Sequence, residues 1–114
     1  MPPLYEVLYL FSSAQGHLVE IKRLDQPADA PKDLVYQWLW LQGRTVHKLH
    51  FVAMGTSPDD QGPRQLRSFT EGGLWFNEQA GEMRFSSGRT VALTPDPLKS
   101  LSRTLARLIS LHLS

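Results

Sequence analysis

The chain has 114 residues, 41% of them hydrophobic and 20% charged, with a net charge of +1 and no cysteine. That length suits one domain with a real core, and the balance excludes a disordered or collagen-like polymer. The missing cysteines exclude disulfides, thiol catalysis and thiolate metal sites and fit a cytoplasmic setting, while no apolar run is long enough to span a membrane.

Met1-Pro2-Pro3-Leu4 lacks the basic region and cleavage site of a signal peptide. Leu4 to Phe11 predicts a first strand, with Tyr5, Val7 and Tyr9 alternating against Leu4, Glu6 and Leu8. Apolar residues on both faces predict an interior strand. Ser12 to Gly16 is turn-prone, and His17 to Leu24 alternates again, with Leu18, Glu20, Lys22 and Leu24 opposite His17, Val19, Ile21 and Arg23. The two runs form a hairpin. Pro27 and Pro31 make Asp25 to Asp33 a connector.

Leu34 to Leu41 (LVYQWLWL) supports two assignments. As a helix it has Asp33 for N-cap, Leu34, Trp38 and Leu41 on one face, and Gly43 as terminator. As a strand it offers Val35, Tyr36, Trp38 and Trp40, with Gln42-Gly43 turning into a second strand, Arg44 to Met54. The hairpin is preferred, because short apolar runs rich in aromatics resolve as strands.

Gly55 to Gly73 carries turn chemistry at Ser57-Pro58-Asp59-Asp60 and Gln61-Gly62-Pro63; within it, Arg64 to Thr70 predicts a short edge strand through Leu66 and Phe69. Gly72-Gly73 opens a meander with strands at Leu74 to Asn77, Glu82 to Phe85 and Arg89 to Thr94. Asp96 then stands as N-cap and Pro97 at the first helical position, predicting a helix from Pro97 to Ser114. Leu98, Leu101, Leu105 and Leu108 share one face, widened by Ile109 and Leu113; Lys99, Arg103 and Arg107 lie opposite at four-residue spacing. The expected architecture is a single α+β domain over 1–114. It has a mostly antiparallel twisted sheet of hairpins and a meander, with one C-terminal amphipathic helix packed on it.

No catalytic signature is present. There is no G-x-S-x-G elbow and no P-loop, and Asp59-Asp60 sits in turn chemistry. His47 and His50 form H-x-x-H, but strand positions three apart face opposite ways, and only the distant His17 and His112 are left to complete a site. No enzyme activity, metal or cofactor is expected.

The charge distribution points to binding. From Arg84 onward there are five Lys or Arg against one acid, whereas the first 33 residues carry three bases and five acids. Lys99, Arg103, Arg107, Arg84 and Arg89 are the candidate phosphate contacts, with Trp75 and Phe69 as stacking groups, for single-stranded nucleic acid or another polyanion. In element order alone, a terminal helix after a β-meander, the chain resembles small single-stranded-DNA-binding coactivators, and that resemblance implies a homodimer; no motif is carried over. Leu111, pointing away from the leucine stripe, offers with Leu113 a last turn to such a partner. A competing expectation is a protein-interaction module using an exposed sheet edge or the Trp38/Trp40 face, with the basic stripe merely solvated. A small enzyme or ligand-binding barrel is the third.

Overall fold

The computed structural model describes residues 4–49, 51–55, 66–69, 74–77, 80–85, 87–97 and 100–113; for 51–55, 66–69 and 74 the description is of the backbone alone. The fold is α+β, with ten strands and two helices among the described residues. One five-stranded antiparallel sheet contains β1 (Tyr5–Ser12), β2 (His17–Arg23), β3 (Tyr36–Gln42), β4 (Thr45–Leu49) and β10 (Thr94–Pro95), in the order β10-β1-β2-β3-β4. The other contains β5 (Phe51–Gly55), β6 (Leu66–Phe69), β7 (Leu74–Asn77), β8 (Glu82–Arg84) and β9 (Thr90–Ala92), in sequence order.

The chain changes sheets twice. The predicted strand Arg44 to Met54 is divided between β4 in the first sheet and β5 in the second. The predicted strand Arg89 to Thr94 is likewise divided between β9 and β10, with buried Leu93 between them donating its N–H to the Gly81 carbonyl at 2.7 Å. Because β10 pairs with β1 (Phe11 with Pro95, Ser12 with Thr94), the chain returns to its first strand after the second sheet, and the two sheets enclose an apolar layer between them. Pro95 therefore does not stop the sheet. It sits in a strand with a neighbour on one side only, where a missing N–H is tolerated. The 64–70 run also differs from expectation: β6 pairs with both β5 and β7 and is no edge.

Two apolar layers follow from strand alternation. Between the sheets lie Phe11, Leu18, Trp38, Trp40, Leu49, Phe76, Met83, Val91 and Leu93. Phe76 meets the Phe11 ring edge-on at 4.9 Å and the Trp38 ring at 5.9 Å. On the other face of the first sheet, Leu10, Val19, Ile21, Leu39 and Leu41 pack against α2 (Arg103–Leu113) through Ile109 and Leu113, flanked by Leu101 and Leu105. The first sheet is thus buried on both sides.

That double burial explains the ambiguity at 34–41. A strand with two buried faces shows no alternation and reads equally as a helix. The segment contains a piece of each: α1 (Lys32–Val35) is a single turn after Pro31, whose carbonyl accepts from the Leu34 and Val35 N–H groups, and β3 follows. Pro31, not Asp33, occupies the N-cap position, and the turn into β4 is Gly43-Arg44, one residue later than expected. In β1 the register shifts between Val7 and Tyr9, making Leu8 the extra residue of a bulge. Tyr5 and Val7 therefore pack on the helix side, while Tyr9 turns to the inter-sheet side, stacked 6.4 Å from Trp38.

Helix α2 starts six residues after Pro97. The Asp96 N–H is drawn into the sheet by the Leu10 carbonyl at 2.8 Å, and α2 begins only at Arg103, too far on for Asp96 to be its N-cap. Ser102 caps it instead: its Oγ accepts from the Leu105 N–H at 3.2 Å. Leu98 lies outside the described residues.

Candidate functional site

The predicted phosphate contacts fall into separate places. Arg103 and Arg107 face solvent on α2, without a carboxylate partner among the described residues. Arg84 lies directly opposite Trp75 across β7 and β8. Phe76 and Met83 point inward, so Trp75 and Arg84 share the outer face of the second sheet, where the Arg84 guanidinium is 3.6 Å from the Glu82 carboxylate. Arg89 lies over the Phe85 ring at 4.4 Å, and Phe85 in turn meets Trp40 edge-on at 6.2 Å. Phe69 is in β6 opposite Leu74, with its side chain outside the description; Lys99 lies outside the described residues. The structure thus brings together Arg103 with Arg107, and Trp75 with Arg84. The first sheet stands between α2 and the second sheet, so the two groups are not joined. Trp38 and Trp40, 5% and 3% exposed, are core and offer no interaction surface.

A further cationic site lies at the end of the first sheet, where β2 hands over to β3. The connector and the adjoining strand ends line an open groove of about 560 Å³ there. Its wall contains Lys22, Arg23, Lys32 and Tyr36 with several apolar residues, and no carboxylate. The connector acids Asp25, Asp29 and Asp33 are absent from that wall. Lys22 and Tyr36 are cross-strand partners, so they share a face; the Lys22 ammonium sits 6.0 Å from the centre of the tyrosine ring.

Arg23 joins this groove to the helix. Its Nε donates to Asp25 Oδ1 at 2.9 Å and its Nη2 to Oδ2 at 2.5 Å, and Nη2 also reaches the Leu113 carbonyl at 3.3 Å. The guanidinium holds the Asp25 carboxyl below its ordinary range. It also supplies positive charge at the helix C-terminus, where unpaired carbonyls favour it. Lys22 and Lys32 remain without a carboxylate partner among the described residues. Sequence reasoning missed these residues because averaging over the first 33 positions gave an acidic segment. The available signal was Lys22-Arg23 ending a strand and Lys32 following Pro31, which places three cations at the two mouths of one loop.

The histidines stand apart. His17 Nδ1 is 3.0 Å from Ser12 Oγ, His47 is exposed on β4, and His50 lies outside the described residues. His112, at the end of α2, is held below its ordinary pKa by partial burial and by the nearby charges of Lys48 and Arg23. Among the described residues no three His, Asp or Glu side chains gather to hold a metal. No described helix is long and apolar enough to cross a membrane.

The chain is an α+β protein built of two antiparallel sheets and a C-terminal helix, and the groove beside the β2–β3 connector is lined by three cations. Compared with known protein families, characterised proteins and solved structures, it has no match in any of the three.

Proposed function

We propose that this chain is a non-enzymatic binding protein for a polyanion, held along the exposed side of α2 and in the groove at the end of that helix. The observation that carries this reading is Arg23, a wall residue of the groove that also touches the last helical carbonyl. Arg107 precedes Leu113 by about 9 Å of helix axis, and Arg23 at that helix end is the cation that the groove and α2 share. A chain of phosphates is the kind of ligand that uses spaced cations, here Arg103, Arg107, Lys22 and Lys32, none with a carboxylate partner among the described residues. The net charge of +1 keeps the attraction local to this track.

The test is fluorescence anisotropy with a labelled single-stranded oligonucleotide and with inorganic polyphosphate across a range of salt. Affinity falls steeply with salt in the wild type. In Arg103→Ala/Arg107→Ala the slope of log K against log salt shrinks by about 1.4, the share of two phosphate contacts on a single strand. Absence of binding at low salt, or slopes unchanged in this variant and in Lys22→Ala/Lys32→Ala, overturns the reading. A second reading, association of two copies through α2, has one observation in its favour, the 63% exposed Leu111. Arg103 and Arg107, in line with Leu111 at four-residue steps, oppose it by bringing like charges together across a two-fold axis. Sedimentation as a monomer at every concentration removes it.

A further inference from the structure

Resting on the polyanion reading, we infer that the groove is a nucleotide subsite: Tyr36 stacks a base while Lys22 and Lys32 take its phosphate, so the polyanion is single-stranded nucleic acid. Tyr36 opens β3, a strand whose next five residues are all buried, yet it is itself 42% exposed. Its ring is not used by the core. It lies in the same wall as Lys22, whose ammonium is 6.0 Å from the ring centre. An exposed aromatic ring with a cation held over it supplies partners for the two parts of one nucleotide, a planar base and the phosphate attached to it. The three connector acids would repel a phosphate, and all three are absent from the wall; Asp25 is committed to Arg23. The groove, about 560 Å³, is the size of a small-ligand site. A duplex hides its base faces in the stack, whereas a single strand can present one.

The experiment compares four probes on the wild-type protein by anisotropy or competition. They are a single-stranded oligonucleotide of about ten residues, the same strand with abasic sites throughout, inorganic polyphosphate, and a nucleoside monophosphate. The base-bearing strand binds best, and removing its bases weakens binding about 5- to 150-fold, the range expected for one stacked base. Tyr36→Ala lowers affinity for the base-bearing strand by a similar factor and leaves polyphosphate unchanged, while Tyr36→Phe retains binding. Competition by the monophosphate as strong as that of the strand assigns the groove to a free nucleotide; weak competition assigns it to one residue of a strand. Either upholds the nucleotide subsite, and the first overturns the assignment of the polyanion as a single strand. If abasic strand, polyphosphate and base-bearing strand bind alike, the subsite is overturned while the polyanion reading stands. If no probe binds at low salt, both fall. The abasic arm uses no variant, so the outcome does not depend on how Tyr36→Ala folds.

Discussion

Gly16 has no room for a side chain. A Cβ there would lie 2.6 Å from the Leu41 carbonyl oxygen and 2.7 Å from the Trp40 ring, one of them backbone and the other locked in the core. The turn it completes is fixed by Ser13, whose Oγ accepts from the Gln15 and Gly16 N–H groups at 3.1 Å each. Gly16→Ala is therefore expected to cost about 1–3 kcal/mol, as overpacking does, read as a lower midpoint in urea unfolding with an unchanged slope. His112 carries a prediction of opposite character. Its pKa is lowered from the ordinary 6.5 by partial burial and then by Lys48 and Arg23, so the folded state resists protonating it. Well above pH 6.5 the ring is neutral in both states and contributes nothing to the pH dependence. As pH falls below that value the unfolded chain takes up the proton first, and stability declines. His112→Gln should remove that part of the slope between neutral and mildly acidic pH, measured by urea midpoints; a slope unchanged by the substitution would refute the assignment. At this scale the sequence was least informative about the groove. Lys22 and Tyr36 become neighbours only through the β2–β3 register, which no local pattern specifies.

Helix α2 shows what element-scale reading captures and what it misses. Its buried stripe was legible in part from spacing, since Leu105, Ile109 and Leu113, with Leu101 just ahead of the helix, do face the sheet, whereas Leu108, expected in the same stripe, is only half-buried and lies outside that cluster. Its start was not legible. Asp96-Pro97 is a sound local start signal, but pairing of β10 with β1 outweighs it, and the helix waits for Ser102. Hairpins read well where one face is exposed, as at β7 to β9. Reading failed at β3, where both faces are covered, and at β1, where the bulge at Leu8 reverses the alternation. Two substitutions separate cap from stripe. Ser102→Ala is expected to cost about 0.5–2 kcal/mol, and Ile109→Ala about 2–5 kcal/mol because it empties a fully buried site. In both, hydrogen exchange across 103–113 should accelerate before the strands are affected. The emission of Trp38 and Trp40, which lie in the other apolar layer, should stay unchanged. A red shift at low denaturant in Ile109→Ala would show that the two layers are not separable.

At the scale of the whole molecule the decisive feature is the pair of sheet changes, from β4 to β5 and from β9 to β10 through Leu93. Composition and alternation predicted antiparallel strands and a terminal helix. They could not predict that the strands divide into two sheets, because a sheet change is set by what each half of the predicted strand packs against. Closure through Phe11 and Pro95 joins residues from near the two ends of the chain. A contact so distant in sequence must wait for nearly everything between to be in place, since its loop-closure entropy is offset only by the completed sheets. Refolding followed by tryptophan emission is accordingly expected in milliseconds to seconds, the range of β-rich topologies, not in microseconds. During synthesis the first hairpin, Tyr5 to Arg23, can form as soon as it emerges, but its partner β10 is made only after β3 to β9. Until then the Phe11 and Ser12 backbone stands as an open edge, which makes the interval before closure the stage at which this protein is most exposed to pairing with another chain.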